Sequence, residues 1–152
     1  MGHIDRNVVE DAARTAVAAV ISFIAARLLR MPEAYWASIS TIIVMQSTLG
    51  TAVTVSWQRF VGTVLGAASG ALLGTYFPTN LAVFGAGIFA LGLIAALLRV
   101  QSAYRFAGVT LAITMLIPRD HPAWVVAEHR LIEVSAGIAV ALVLTAVWPQ
   151  RE

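Results

Sequence analysis

Two arginines head long apolar runs in this chain: Arg59 before "FVGTVLGAASGALLG" and Arg130 before "LIEVSAGIAVALVLTAV". A charge held deep in hydrocarbon is costly unless it is paired or reached by water, so an ionisable residue there marks a pathway. The guanidinium is planar, permanently charged and carries five donors, which suits carboxylates and other oxyanions. Arg130 has Glu133 one turn further on, a spacing that allows a local ion pair. Arg59 has no acidic neighbour in sequence and follows the polar Gln46, Ser47 and Thr48. Its expected occupant is therefore an anion. The competing placement leaves both arginines at the interface, snorkelling to headgroups.

His129, in "EHRLIE" with Glu128 and Glu133, is a candidate proton relay together with Glu133, because imidazole titrates near neutral pH. His121, in "PRDHP", reads as ordinary solvent-exposed polarity. One histidine and two carboxylates on a single helix do not converge on a metal, so no metal site is expected. The chain has no Gly-x-Ser-x-Gly, no phosphate-cradling loop and no pair of carboxylates set for acid–base work. Cysteine is absent, which excludes thiol chemistry. The sequence thus predicts a protein that is not an enzyme, with no catalytic residues and no cofactor.

The elements that must hold these groups are helices in a bilayer. Of 152 residues, 59% are hydrophobic and 12% charged, with a mean hydropathy of +0.83, too apolar for a water-soluble domain of this length to cover itself. The apolar residues fall into six blocks, 12–29, 34–45, 59–77, 81–98, 106–117 and 130–148. Four are long enough to cross. The second and fifth have about a dozen clean residues where a crossing wants about 20, so the second is expected to extend into "QSTLG" and the fifth into "SAYR" or Pro118. The first block is too long for a signal-peptide core and reads as an uncleaved span. All ten basic residues are arginines, scattered singly, and the net charge is +2, which argues against nucleic acid.

The chain repeats itself. "LLRMPEAYW" matches "LLRVQSAYR" at an offset of 69, and Arg59, Gly66 and Pro78 fall on Arg130, Gly137 and Pro149 at an offset of 71. One domain, 1–152, is therefore read as two repeats, about 12–78 and 81–149. Three spans per repeat set the second copy upside down relative to the first, an inverted architecture with its site at the midplane. The arginine distribution leans towards both termini being cytoplasmic.

Gly62, Gly66, Gly70 and Gly74 recur every fourth residue, and the matching positions of the last block are Glu133, Gly137, Ala141 and Thr145. Each glycine costs a helix about 1 kcal/mol relative to alanine. In a bilayer such a stripe is favoured where it lets another backbone approach. The third and sixth spans are expected to pack closely, on each other or on copies in a second subunit. Tyr35, Trp36, Trp57, Tyr76, Tyr104, Trp124 and Trp148 lie at block ends as an aromatic belt. Tyr35, Trp36 and Tyr104, opening the two short spans, could instead bound a site for a planar ligand.

From Ala34 to Gly74 the sequence "AYWASISTIIVMQSTLGTAVTVSWQRFVGTVLGAASGALLG" closely resembles the signature of the fusaric acid resistance (FUSC-like) family, which includes the aromatic acid exporters. The likeness rests on the Tyr-Trp opening, "VMQ" before a small-residue turn, and Arg59, Gly62, Thr63 and Gly66. "EHRLIEVSAGIAVALVLTAVWP", with Arg130, Glu133, Gly137 and Pro149, is similar to the family's closing helix. The resemblance implies a six-helix, all-α, multi-pass inner-membrane module for efflux of aromatic carboxylic acids. Arg59 and Arg130 would face the path; apart from the resemblance, Gln46, Tyr35, Trp36 and Tyr104 are read as substrate-binding residues beside them. The larger exporters have two six-helix halves and a cytoplasmic region, so a single module implies a homodimer, with membrane lipid and a small organic anion as its partners. A passive anion channel, and a non-transporting scaffold whose glycines serve assembly alone, remain open beside the exporter.

Overall fold

The computed structural model describes residues 6–45, 48–118 and 120–149. Among them are α1 (Arg6–Leu28), α2 (Tyr35–Val44), α3 (Leu49–Tyr76), α4 (Leu81–Leu97), α5 (Tyr104–Leu116) and α6 (Ala123–Val147), with a single 3-10 turn, Gln101–Ala103, leading into α5. No strand occurs among the described residues.

The polarity of this bundle is reversed relative to a water-soluble one. Side chains buried to 5% exposure or less include Arg14, Ser22, Ser40, Thr41, Arg59, Thr63, Thr114, Arg130, Glu133 and Thr145, whereas Val20, Ile24, Phe89, Leu93, Val143 and Val147 are exposed. In water, large apolar faces would be the first surface to hide. In lipid they cost nothing, and the interior takes small and polar residues. Most buried hydroxyls are satisfied within their own helix: Thr41 donates to the Ala37 carbonyl at 3.0 Å, Thr63 to Arg59 at 2.8 Å and Thr114 to Thr110 at 2.8 Å.

Among the described residues only α6 is both long and apolar enough to cross a membrane by itself. Helix α4 is apolar throughout but has 17 residues. Helices α2 and α5, with 10 and 13 residues, rise only about 15 and 20 Å. The expected extension of the second block into "QSTLG" does not occur within α2, which ends at Val44, and Gln46 and Ser47 lie outside the described residues. Instead α3 reaches back to Leu49, ten residues before the block the sequence suggested. Its hydroxyls look like a break in the sequence but are absorbed locally, Thr54 donating to the Gly50 carbonyl at 3.1 Å. Helix α6 likewise begins at Ala123, just after Pro122, a residue suited to a helix start. Arg59 and Arg130 therefore stand about 15 and 10 Å inside their helices.

Contacts divide the chain into two compact units, residues 1–56 with 133–152 and residues 57–132. The first holds α1 and α2 with the latter part of α6. Down α1 runs a buried stripe, Arg14, Ala18, Ser22 and Ala26, small enough for α2 to lie close, and the Ser38 hydroxyl donates to the Ala19 carbonyl at 2.7 Å. Ala18, Val44, Met45, Ala52 and Ala141 form its main core. The second holds α4, α5 and most of α3, around Leu91, Ala107, Leu111 and Met115. Asn80 opens α4 by accepting from the Val83 N–H at 2.9 Å.

Both α1 and α4 end in the same way. Met31 N–H donates to the Ala26 carbonyl and Arg30 N–H to Arg27; Val100 donates to Ala95 and Arg99 to Ala96. These are paired Schellman caps, and the left-handed position in each is arginine rather than glycine, at φ 55° and 57°. An L-residue pays about 1–2 kcal/mol there. Arg30→Gly and Arg99→Gly should each stabilise the protein by about 0.5–1 kcal/mol in detergent, measured by thermal denaturation.

Candidate functional site

In the second unit Arg59 is 4% exposed, its guanidinium carbon 5.0 Å from the centre of the Phe106 ring. That is cation–π distance, and a dry setting strengthens the attraction. The glycine ridge brings the two groups together. A Cβ on Gly62 would collide with the Ala103 carbonyl and sit 2.6 Å from the Phe106 Cβ. On Gly66 it would strike the Ala107 carbonyl, and on Gly70 it would fall 2.7 Å from the Thr114 Cβ. With no side chains between, α3 lies against the α5 backbone and Phe106 reaches the guanidinium. Gly74, next on the stripe, is half-buried.

The first unit repeats this contact. A Cβ on Gly137 of α6 would collide with the Ala37 carbonyl and lie 2.8 Å from the Ser40 Cβ on α2, and the Gly137 carbonyl accepts the Thr41 hydroxyl at 2.9 Å. The surfaces these glycines meet belong to α5 and α2, while Ala52 of α3 shares a core with Ala141 of α6. A short helix of one half lies on a ridge helix of the other because each ridge needs a backbone to approach, and the short helices supply one. Where Gly62 stands in the second unit, the first has Glu133, fully buried, whose Oε1 accepts the Glu33 N–H at 3.1 Å just before α2. A carboxylate there complements the helix N-terminus. Glu133→Ala should cost about 1–3 kcal/mol by leaving that donor unsatisfied, and Glu133→Gln much less, because its amide oxygen still accepts. Thermal unfolding in detergent separates the two.

Arg130 is 2% exposed, on α6 within the second unit, and His129 beside it is half-buried. Tyr35 is 48% exposed and Trp36 half-buried, their rings 5.6 Å apart and tilted by 41°. Tyr104 packs into the second unit's apolar core, its ring 3.4 Å from where a Gly92 Cβ would sit on α4. Gln46 lies outside the described residues. No group of three His, Asp or Glu side chains that could hold a metal occurs among the described residues. A cavity of about 390 Å³ between α3 and α4, lined by Leu73, Phe77, Val83 and Gly87 among others, is apolar and holds none of the candidate residues.

Two residues escaped the sequence reading. Phe106 is one, and the repeat register hid it. The offset of 69 aligns Phe106 with Ala37, whereas the glycine contacts align Ala107 with Ala37 and so Phe106 with Trp36, an aromatic already singled out. Arg14 is the other. It is 1% exposed, and its four-residue spacing from Ala18, Ser22 and Ala26 was the available signal.

The sequence profile of fusaric acid resistance protein-like proteins matches residues 18–144. A relative, "Inner membrane protein YeeA" of Escherichia coli (strain K12), is 31% identical over 147 residues, which is 91% of this chain. The chain spans 40% of that relative's length. No solved structure matches. The apolar exterior, the buried arginines and the profile match agree: the chain is a membrane protein of the fusaric acid resistance protein-like family.

Proposed function

We propose that this chain is the membrane module of an organic-anion exporter of the inner membrane, moving aromatic carboxylates outward. One observation carries the reading: Arg59 is a guanidinium buried inside a helix with an aromatic ring against it. A permanent cation beside a flat apolar face suits both ends of an aromatic acid, the charge taking the carboxylate and the ring stacking on the ligand. Arg130 supplies a second buried positive charge. Tyr104 bounds the path in the same unit, and His129 carries a coupling proton.

The fold in this reading is six spans in two inverted three-helix repeats, assembled as a homodimer with both termini in the cytoplasm. Its support is the duplicated detail: paired arginine Schellman caps, and paired glycine contacts on α5 and α2. Matching short helices in the two halves of a transporter mark the place where substrate binds. The test is benzoate efflux from proteoliposomes containing the wild-type chain or Arg59→Gln. Loss of flux in a correctly folded variant supports the assignment, and unchanged flux refutes it.

A further inference from the structure

Arg14 has no place in the path just described, and its surroundings in the first unit are unusual. Its side chain is 99% buried, on the third turn of α1. Nη2 donates to the Thr145 hydroxyl at a long 3.4 Å, while Nε and Nη1 have no hydrogen-bond partner. Thr145 spends its own proton on the Met45 sulfur, also at 3.4 Å, so its oxygen is an acceptor at the arginine. One turn from Arg14 is Ala18 and one turn from Thr145 is Ala141, both in the apolar core with Met45. Asp11, three residues before Arg14 on α1, is half-buried and has a partner of its own, and Glu10 accepts from the Trp148 indole N–H at 3.2 Å. No carboxylate among the described residues pairs with Arg14.

A buried cation with unmet donors and apolar walls is destabilising by several kcal/mol. Such a group persists in a fold when an opposite charge fills the place. The repeat sharpens the point, because the residue of α4 that matches Arg14 at an offset of 69 is Val83, half-buried in the second unit's core. The charge is therefore not demanded by this helix position. We infer that Arg14 and Thr145 form a binding site for a small monovalent anion, carboxylate or halide, in the first unit. Nε and Nη1 supply three N–H donors to the anion, and Met45, Ala18 and Ala141 exclude water around it.

The site is read out by equilibrium binding and needs no transport. The purified chain in detergent, in a buffer free of other small anions, is titrated with sodium benzoate and separately with sodium chloride, following thermal stability. Bound anion raises Tm in a saturable way. Arg14→Met keeps the length and apolar stem and removes the charge. It should fold, melt at or above the anion-free wild type, and weaken the anion at least tenfold. The titrations are made in the Arg59→Gln background, which removes the carboxylate site proposed above, and there Thr145→Val should weaken the anion several-fold. Stabilisation by benzoate identifies a carboxylate site, and by chloride alone a halide site. Anion stabilisation that persists when Arg14→Met is added to that background, or that is lacking in the background itself, overturns the proposal. Flux lost in Arg59→Gln with this titration intact separates the two sites.

Discussion

Gly66→Val should be the most damaging small substitution in the chain, lowering stability by about 3 kcal/mol or more. A Cβ at this position already falls on the Ala107 carbonyl and lies 2.7 Å from the Thr110 Cβ. Neither neighbour can swing away, since one is backbone and the other is anchored in a buried turn of α5, where the Thr110 hydroxyl donates to the Phe106 carbonyl. Overfilling a packed site costs about 1–3 kcal/mol where side chains can shift, and more where a backbone must. Gly137→Val should cost as much, because the Ala37 carbonyl and Ser40 Cβ stand in the same relation to it. The matching control is Gly85→Ala on α4. Nothing lies within 4 Å of a Cβ there, so the helix-propensity gain of up to about 1 kcal/mol is uncompensated. Thermal unfolding in detergent, scored beside size-exclusion behaviour, checks all three. Tolerance of valine at Gly66 would mean that α3 and α5 are not in backbone contact.

Arg59→Gln is the substitution expected to change function most, with benzoate efflux falling at least tenfold while the protein stays folded. Removing a charge-assisted hydrogen bond to a carboxylate is worth roughly 1.5–3 kcal/mol, about ten- to a hundredfold in affinity. Arg59→Lys should restore little. An ammonium keeps the charge but lacks the planar fork and stacks less well on the Phe106 ring. Phe106→Leu separates the two contributions: packing against Gly62 survives in part, the face under the guanidinium is lost, and flux should fall by a few-fold. Equal flux in Arg59→Lys and wild type would leave only charge at work and remove the ring from the mechanism.

Much of this was legible in the residues. Blocks of apolar sequence gave six helices in their right order, and the Arg-x-x-Gly-Thr-x-x-Gly stretch located the ridge and the arginine beside it. Helix starts were harder to read. The run from Thr48 to Trp57 carries threonines and a serine that resemble a loop, yet hydroxyls bonded to the preceding turn are compatible with helix, and α3 runs through them. That difference decides whether Arg59 stands at a helix end or well inside it. The partner of each ridge was also hidden, since a glycine stripe announces close approach but not what approaches. Only coordinates bring Ala107 to Gly66 and Ala37 to Gly137. Arg14 drew no notice because scattered arginines do not show in sequence which way a helix turns each of them.

The first compact unit is assembled from the two ends of the chain, residues 1–56 and 133–152, while the second is one continuous stretch. This arrangement fixes an order of events during synthesis. The middle segment has all its elements as soon as residue 132 has been made. Helices α1 and α2 must instead wait, with Gly137's site on Ala37 and Thr145's on Arg14 still bare, until α6 leaves the ribosome and is inserted. A chain stopped before residue 133 would hold every element of the second unit and lack the helix that meets Ala37 and Arg14 in the first.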